Sequence, residues 1–338
     1  MTSVPQPLRL GTRGSRLALT QAEMVKAALV GAALPSRPVV VEIIVIKTLG
    51  DRLRGPLPEV ADSLRRAVGT QGKGVFIKEL EDALLGNRID LAQHSLKDMP
   101  AELPAGLRLA AVLAREDPRD ALVSRNGRRL ASLPREAVVG TGSPRRKAML
   151  LAARPDLKIV DLRGNVTTRL KKLEIRATGL DAIVLATAGL SRLGLSHLIS
   201  EHLPEDVMVP APGQGIIAIE TRAENVAVAA AINHPATFWM AQAERAFLAK
   251  IGGGCHAALG ASAQIRGLTL RIVGAVLSVD GKKQLRGETS GPAAHAEKLG
   301  RDLAENLLQQ GAGALLSTLA PEGGEGKPRA RPPHRRHR

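Results

Sequence analysis

The one cysteine of the 338-residue chain, Cys255, lies within Gly252-Gly253-Gly254-Cys255-His256. Three consecutive glycines carry no Cβ atoms and accept positive φ, so a bulky adduct on the sulfur can approach the main chain without a clash. His256 is placed to help form the thiolate that would do such chemistry. A thiol packed inertly beside a flexible turn fits the same residues, because free cysteine commonly behaves as a small core hydrophobe. A second cluster is Gln93-His94-Ser95-Leu96-Lys97-Asp98-Met99-Pro100, which follows the strand-like Ile89-Asp90-Leu91-Ala92. It sets a carboxylate beside an ammonium and three residues after a hydroxyl, where Asp98 can move protons or stabilise a cation. A surface turn ended by Pro100 with an ordinary ion pair is the other reading, and the cluster alone leaves both open.

The arginines recur in one local setting. Leu8-Arg9-Leu10 runs into Gly11-Thr12-Arg13-Gly14-Ser15 and then a helical pattern over 17–29. Val138-Val139-Gly140 leads to Thr141-Gly142-Ser143 and Pro144-Arg145-Arg146. Here Ser143 reads as an N-cap and Pro144 as the first helical residue. The strand-like 158–162 leads to Arg163-Gly164-Asn165 and a helix carrying Arg169, and the strand-like 182–186 leads to Thr187-Ala188-Gly189-Leu190 and Arg192. Helix starts present unpaired N–H groups, and an added arginine makes a bidentate carboxylate clamp. One such turn is equally a capped helix with a solvated arginine; four point to a convergent site. Strand–turn–helix units of this kind build mostly parallel sheets, whose ligands bind at the carboxyl ends of the strands.

Length and composition bound these readings. A chain of 338 residues is expected to form two or three domains of about 100 residues each. Hydrophobic residues make up 44% and the mean hydropathy is near zero, as in a soluble globular protein. One cysteine excludes an internal disulfide framework and fits a reducing compartment. Arg9, Arg13, Arg16, Gln21, Glu23 and Lys26 interrupt the first thirty residues, so no signal-peptide core is expected. No run approaches the roughly 18 apolar residues of a membrane span, and the expected location is the cytoplasm. The net charge of +16 raises nucleic-acid binding. With no Tyr and only Phe76, Phe238, Trp239 and Phe247 as aromatics, stacking platforms are lacking. A polycarboxylate ligand accounts for the arginines better. The eight histidines are scattered and show no metal-ligand spacing with the cysteine.

Taken in order, Gly11-Thr12-Arg13-Gly14-Ser15, His94 to Pro100, Thr141 to Arg146, Arg163-Gly164-Asn165, Ala188-Gly189-Leu190, Pro212-Gly213-Gln214-Gly215 and Gly253-Gly254-Cys255 resemble the hydroxymethylbilane synthase (porphobilinogen deaminase) family. The resemblance runs from about Leu8 to Leu319. It implies a transferase that joins four porphobilinogen molecules head to tail, with release of ammonia, into the linear tetrapyrrole hydroxymethylbilane. It also implies a dipyrromethane cofactor held by a thioether to Cys255. Asp98 is the implied catalytic residue, facing the cationic azafulvene left by ammonia loss. Ser95, Lys97, Asp98, Thr141, Ser143, Arg145, Arg146, Arg163 and Gly164 are implied to hold the cofactor. Arg13, Ser15, Arg169, Arg192, Gln214, Lys73 and Phe76 are implied to hold substrate, with no metal.

The implied fold is α/β: two periplasmic-binding-protein-like (type II) lobes plus a smaller C-terminal α+β domain. Residues 1–103 with 206–222 form the first lobe, and Val207-Met208-Val209-Pro210 reads as its returning strand. Residues 105–205 form the second lobe. Residues 223–319 form the third domain, with a helix carrying Phe238, Trp239 and Phe247, the Cys255 loop, strands turning at Asp280-Gly281 and a last helix over 293–310. Residues 320–338 read as a disordered basic tail. Two crossings between lobes make a hinge suited to a lengthening product, in a protein expected to be a monomer. Between Gly50-Asp51 and Gly72-Lys73-Gly74-Val75-Phe76 the chain is longer than the family pattern, and the segment reads as either a mobile lid with a short helix over 61–68 or a solvated insertion. His256 and Ala258 stand where Gln and Pro are expected. Two alternatives remain: a two-lobe anion-binding or sensing protein without catalysis, and a basic nucleic-acid binder with strongly salt-dependent affinity.

Overall fold

A computed structural model of the chain describes residues 7–33, 39–47, 77–252 and 257–317. Cys255, Lys73, Phe76, the 50–72 insertion and the 320–338 tail lie outside the described residues.

The first lobe starts with β1 (Leu8–Thr12), α1 (Arg16–Ala32), β2 (Val41–Val45), α2 (Lys78–Leu85), β3 (Leu91–Ser95) and β4 (Leu107–Val112). Ser15 caps α1, accepting the Ala18 N–H, and Ala18, Ala22, Val25 and Leu29 recur at helical spacing on its buried face. The second lobe holds β5 (Asp120–Ser124), β6 (Val138–Gly140), α3 (Pro144–Ala153), β7 (Lys158–Val160), α4 (Val166–Glu174), β8 (Ala182–Ala186), α5 (Thr187–Arg192) and β9 (Glu201–Leu203). β10 (Ile217–Arg222) then returns to the first sheet. The strand orders are β2-β1-β3-β10-β4 and β7-β6-β8-β5-β9. In the first, β1 runs parallel to β2 and β3 while β10 runs antiparallel to β3 and β4. In the second, β6 runs parallel to β7 and β8 while β5 runs antiparallel to β8 and β9. These are the two doubly crossed lobes of a type II binding-protein fold.

The rest comprises α6 (Val226–Ala230), α7 (Pro235–Ile251), β11 (Leu259–Arg266), β12 (Thr269–Leu277), β13 (Gln284–Pro292), α8 (Ala296–Gln309) and α9 (Ala312–Ser317). β11-β12-β13 form an antiparallel sheet, with Phe247 of α7 and Leu303 and Leu307 of α8 in its core. Val273, Ala275 and Leu277 of β12 face away from that core and pack with Ala148 and Met149 of α3. The third domain thus shares a core with the second lobe, and Ala241 of α7 shares another with Leu96, Met99 and Ile216 of the first.

Four boundaries differ from the sequence reading. β4 lies in the first sheet, so the first crossing is 113–119 and not near residue 104. The strand before the Ser95–Asp98 cluster is Leu91–Ser95, shifted forward because it pairs with β10 from Leu91 to Ser95. Residues 207–210 form no strand, since the carbonyls of Val209 and Pro210 accept from Arg145 and from the Ala261 N–H instead. Finally, α6 packs on the first lobe through Ala229, so the third domain begins with α7.

The two crossings run side by side, with the Glu116 N–H donating to the Gly215 carbonyl at 3.1 Å. Arg115 of the first crossing and Glu244 of α7 form a buried ion pair at 2.6 Å, with side chains 6% and 0% exposed. Glu244 also accepts the Gly213 and Ala263 N–H groups, each at 2.6 Å, and Arg115 donates to the Gln214 carbonyl at 3.0 Å. Both crossings are thereby tied to the third domain by one satisfied carboxylate. Glu244→Gln is expected to leave Arg115 buried without its counter-charge and to lower unfolding stability by about 3–5 kcal/mol. The check is the midpoint of urea unfolding; an unchanged midpoint would contradict this role.

Candidate functional site

The ends of β1 and β3 are joined beneath the cleft by a buried polar chain. The Thr12 hydroxyl donates to Gln93 Oε1 at 2.9 Å, Gln93 Nε2 donates to Gln21 Oε1 at 2.9 Å, and the Ser95 hydroxyl donates to the same oxygen at 3.2 Å. Thr12, Gln21 and Gln93 are almost fully buried, so their unmet polar atoms would be costly and the chain fixes where Ser95 points. One turn of 3₁₀ helix, Leu96–Asp98, follows directly.

Between the lobes lies a cleft of about 90 Å³, lined from the first lobe by Leu17, Gln21, Ser95 and Lys97 and from the second by Arg146, Arg169, Arg192 and Gly189. Among the described residues its lining holds four cations and no carboxylate. Burial lowers the Lys97 pKa to about 8, with Arg146 and Arg145 adding to the fall while Asp98 and Asp120 oppose it. Burial likewise lowers Arg169 and Arg192 to about 10, Arg169 being further lowered by Arg146. Arg192 Nη2 donates to the Gly215 carbonyl at 2.7 Å, while its Nε is buried without a hydrogen-bond partner. Crowded, desolvated cations of this kind are stabilised by an arriving anion.

Beneath them sits Asp120, with no solvent exposure. Arg145 Nη1 reaches its Oδ2 at 2.7 Å and Arg146 Nε its Oδ1 at 2.9 Å. Burial alone would raise the Asp120 pKa, but the two guanidiniums outweigh it and hold the carboxyl well below the usual range. Gln214 Nε2 donates to Asp120 Oδ1 at 3.1 Å and to the Pro118 carbonyl at 2.8 Å, and Lys97 Nζ donates to Gln214 Oε1 at 3.3 Å.

The structure gathers Ser95, Lys97, Arg146, Arg169 and Arg192 at the cleft. Asp98 is exposed, and its charge acts on Lys97, Arg146 and Arg169. Ser143 caps α3 by accepting the Arg146 N–H, and Thr141 Oγ1 accepts the Ser143 N–H at 3.2 Å. Arg13 and Ser15 occupy the turn between β1 and α1. Three expectations change. Arg145 is spent on Asp120 and the Val209 carbonyl and does not line the cleft. Arg163 is exposed and pairs with Asp161 at 2.8 Å, while the Gly164 carbonyl accepts from Arg169. Gln214 is fully buried with both ends of its amide engaged. Sequence reasoning missed Gln21, Gln93 and Asp120. Gln21 had one signal, a polar residue on the apolar face of α1.

A larger cavity, about 640 Å³, opens at the opposite strand ends of the second lobe, near Ser124–Asn126 and Leu173–Arg176. Its Arg125 is spent on the carbonyls of Leu180 and Ile175.

Fold and cleft together define a two-lobed protein with a cationic cleft between its lobes. Residues 8–230 match the family described as porphobilinogen deaminase, dipyromethane cofactor binding domain, and residues 238–309 match porphobilinogen deaminase, C-terminal domain. Porphobilinogen deaminase of Geotalea daltonii is 47% identical over 316 residues, covering 92% of this chain and 94% of its own. That of Syntrophomonas wolfei is 47% identical over 312 residues, covering 91% and 97%. The chain belongs to the porphobilinogen deaminase family. Among solved structures, a YaeC-family lipoprotein from Enterococcus faecalis is 12% identical with a TM-score of 0.36, covering 68% of this chain and 92% of its own. An ancestral arginine-binding protein is 14% identical with a TM-score of 0.30, covering 68% and 90%. Likenesses this slight carry no argument beside the strand order itself.

The Lys97 ammonium is present below pH about 8, and a carboxylate beside it raises its pKa in the complex. Affinity for a polycarboxylate is therefore full below about 8 and falls as pH rises through it, by at most about tenfold per unit for one proton. Lys97→Arg is expected to flatten that limb in calorimetric titrations between pH 7 and 9; an identical limb in the variant would remove Lys97 from the site.

Proposed function

We propose the following division of labour in the reaction of this family, the head-to-tail joining of four porphobilinogen molecules into hydroxymethylbilane with release of ammonia. The observation that carries it is a cleft lined, among the described residues, by four cations and no carboxylate, with Asp98 exposed beside it. Each pyrrole brings an acetate and a propionate, so a lengthening chain is a polyanion that needs this lining. Ser95, Lys97 and Arg146, with the Thr141–Ser143 turn, hold the cofactor carboxylates, and Arg169 and Arg192 hold those of substrate. The fit is supported by the buried, unpartnered Nε of Arg192 and by the lowered pKa values of Lys97 and Arg169. When bound through Cys255, the dipyrromethane supplies a covalent primer with a nucleophilic terminal carbon.

Asp98 does the charge work. The carbon–nitrogen bond of porphobilinogen breaks and ammonia leaves, and the carboxylate faces the cation that remains. It then receives the proton lost as the new carbon–carbon bond forms. Among the described residues no helix is long and apolar enough to cross a membrane. Our reading is a cytoplasmic monomer that acts on small molecules rather than nucleic acid, supported by a single cysteine and four aromatic residues in 338. Asp98→Asn should keep the fold and the covalent cofactor, read by intact mass, yet lower porphobilinogen turnover by about 10²–10⁴-fold. Near wild-type turnover in that variant would remove Asp98 from the mechanism.

A further inference from the structure

Gln214 sits in the return crossing between two glycines of positive φ, Gly213 at +76° and Gly215 at +88°. A Cβ on Gly213 would lie 2.9 Å from the Lys97 backbone nitrogen, and one on Gly215 would lie 2.4 Å from the Glu116 carbonyl oxygen. The turn is therefore pressed against both the Lys97 turn of the first lobe and the first crossing, and its central side chain has nowhere to go but inward. That side chain has no solvent exposure.

The orientation of the amide follows from its partners. On one side it meets two acceptors, the Pro118 carbonyl at 2.8 Å and Asp120 Oδ1 at 3.1 Å. Only the NH₂ end can satisfy both, so Oε1 must face Lys97 Nζ, 3.3 Å away. The reverse orientation would set an oxygen against two acceptors and an NH₂ group against an ammonium. Asp120 is itself held by Arg145 and Arg146 from α3. The result is a bridge from the ammonium of one lobe, through the hinge, to the carboxylate that anchors the guanidiniums of the other.

We propose that Gln214 is a positioning residue for the polymerisation reaction, presenting Lys97 to the cleft and sustaining its charged form by coupling it to the anchored Asp120. The inference rests on the functional reading above only in naming what Lys97 receives. Lys97 is also faced by Asp98 on its own turn, by Arg145 and Arg146 of α3 and by Asp120 of β5, and Arg169 and Arg192 share its cleft. Three of these groups, Lys97, Arg145 and Arg146, are cations around the single carboxylate of Asp120. Losing an acceptor oxygen there disfavours the ammonium, while a glutamate in the same place keeps its proton, because its second oxygen stands where Nε2 donates to the Pro118 carbonyl and Asp120 Oδ1.

The test is the titration of Lys97 in the purified enzyme, followed by NMR of labelled lysine side chains with Lys97→Arg to assign the signal, beside the pH dependence of KM and kcat. Gln214→Leu is expected to move the Lys97 midpoint to lower pH by about half to one unit. The basic limb of KM should move with it, so that KM rises more on the alkaline side of that limb than on its acid side. Gln214→Glu, protonated toward Asp120 and still offering Lys97 an acceptor oxygen, is expected to leave both close to their wild-type positions. A midpoint unmoved in the folded leucine variant, or a fall in kcat equal at every pH with the limb in place, would reduce Gln214 to a packing residue and overturn the proposal. If the leucine variant does not fold, Gln214→Met, which keeps the length of the side chain without its acceptor oxygen, decides by the same downward shift. The titration needs no turnover, so a wild type inactive on porphobilinogen would count against the reaction and leave this inference to be judged by its own midpoints.

Discussion

The site depends on one carboxylate that water does not reach. Asp120 opens β5 at the point where the chain has just entered the second lobe. Two consecutive arginines in the first turn of α3 turn toward it, and the glutamine of the return crossing meets it from the other side. Removing a partner from so buried a group is costly, since it leaves a charge uncompensated. That cost is the reason the turn after β6, the first residue of β5 and the hinge must keep their mutual register. Arg146 is thereby fixed in the cleft wall, its Nε and Nη2 on Asp120 and its Nη1 on the Val184 carbonyl at 3.0 Å.

The same logic recurs one layer away. Glu244 does for the third domain what Asp120 does for the second lobe, collecting a guanidinium and two backbone N–H groups from segments far apart in sequence. α7 ends at Ile251, so the helix that carries this anchor also sets where the chain leaves toward Cys255. The chain passes between the lobes at 113–119 and again at 204–216. A hinge of two neighbouring strands of backbone, joined by Glu116 and Gly215, suits a cleft whose contents grow by one pyrrole at a time.

Much of this was legible in the sequence wherever the signal was local. Ser15, Ser143 with Pro144, and Asn165 mark helix starts by short-range chemistry, and each caps the helix it precedes. The ordered motifs carried the fold and the family. What local pattern could not reveal is which sheet a segment joins: residues 105–112 read as part of the second lobe, and only the pairing of Leu107–Val112 with β10 assigns them to the first. Side-chain direction was hidden for a related reason. Arg145 and Arg163 look alike as turn arginines, yet one is drawn inward by an aspartate twenty-five residues away and the other stays on the surface with Asp161. Gln214 is a substrate contact only through the family resemblance, and the positive-φ glycines on either side of it set it in a buried turn.

The central claim is that this cleft serves a covalent polypyrrole primer. Its most direct test is the intact mass of the purified protein beside that of Cys255→Ser. An excess equal to two linked pyrrole units in the wild type, absent from the variant, is the predicted result. A wild type that carries no excess, and gains none on incubation with porphobilinogen, would contradict the account and leave a scaffold that binds anions without the chemistry.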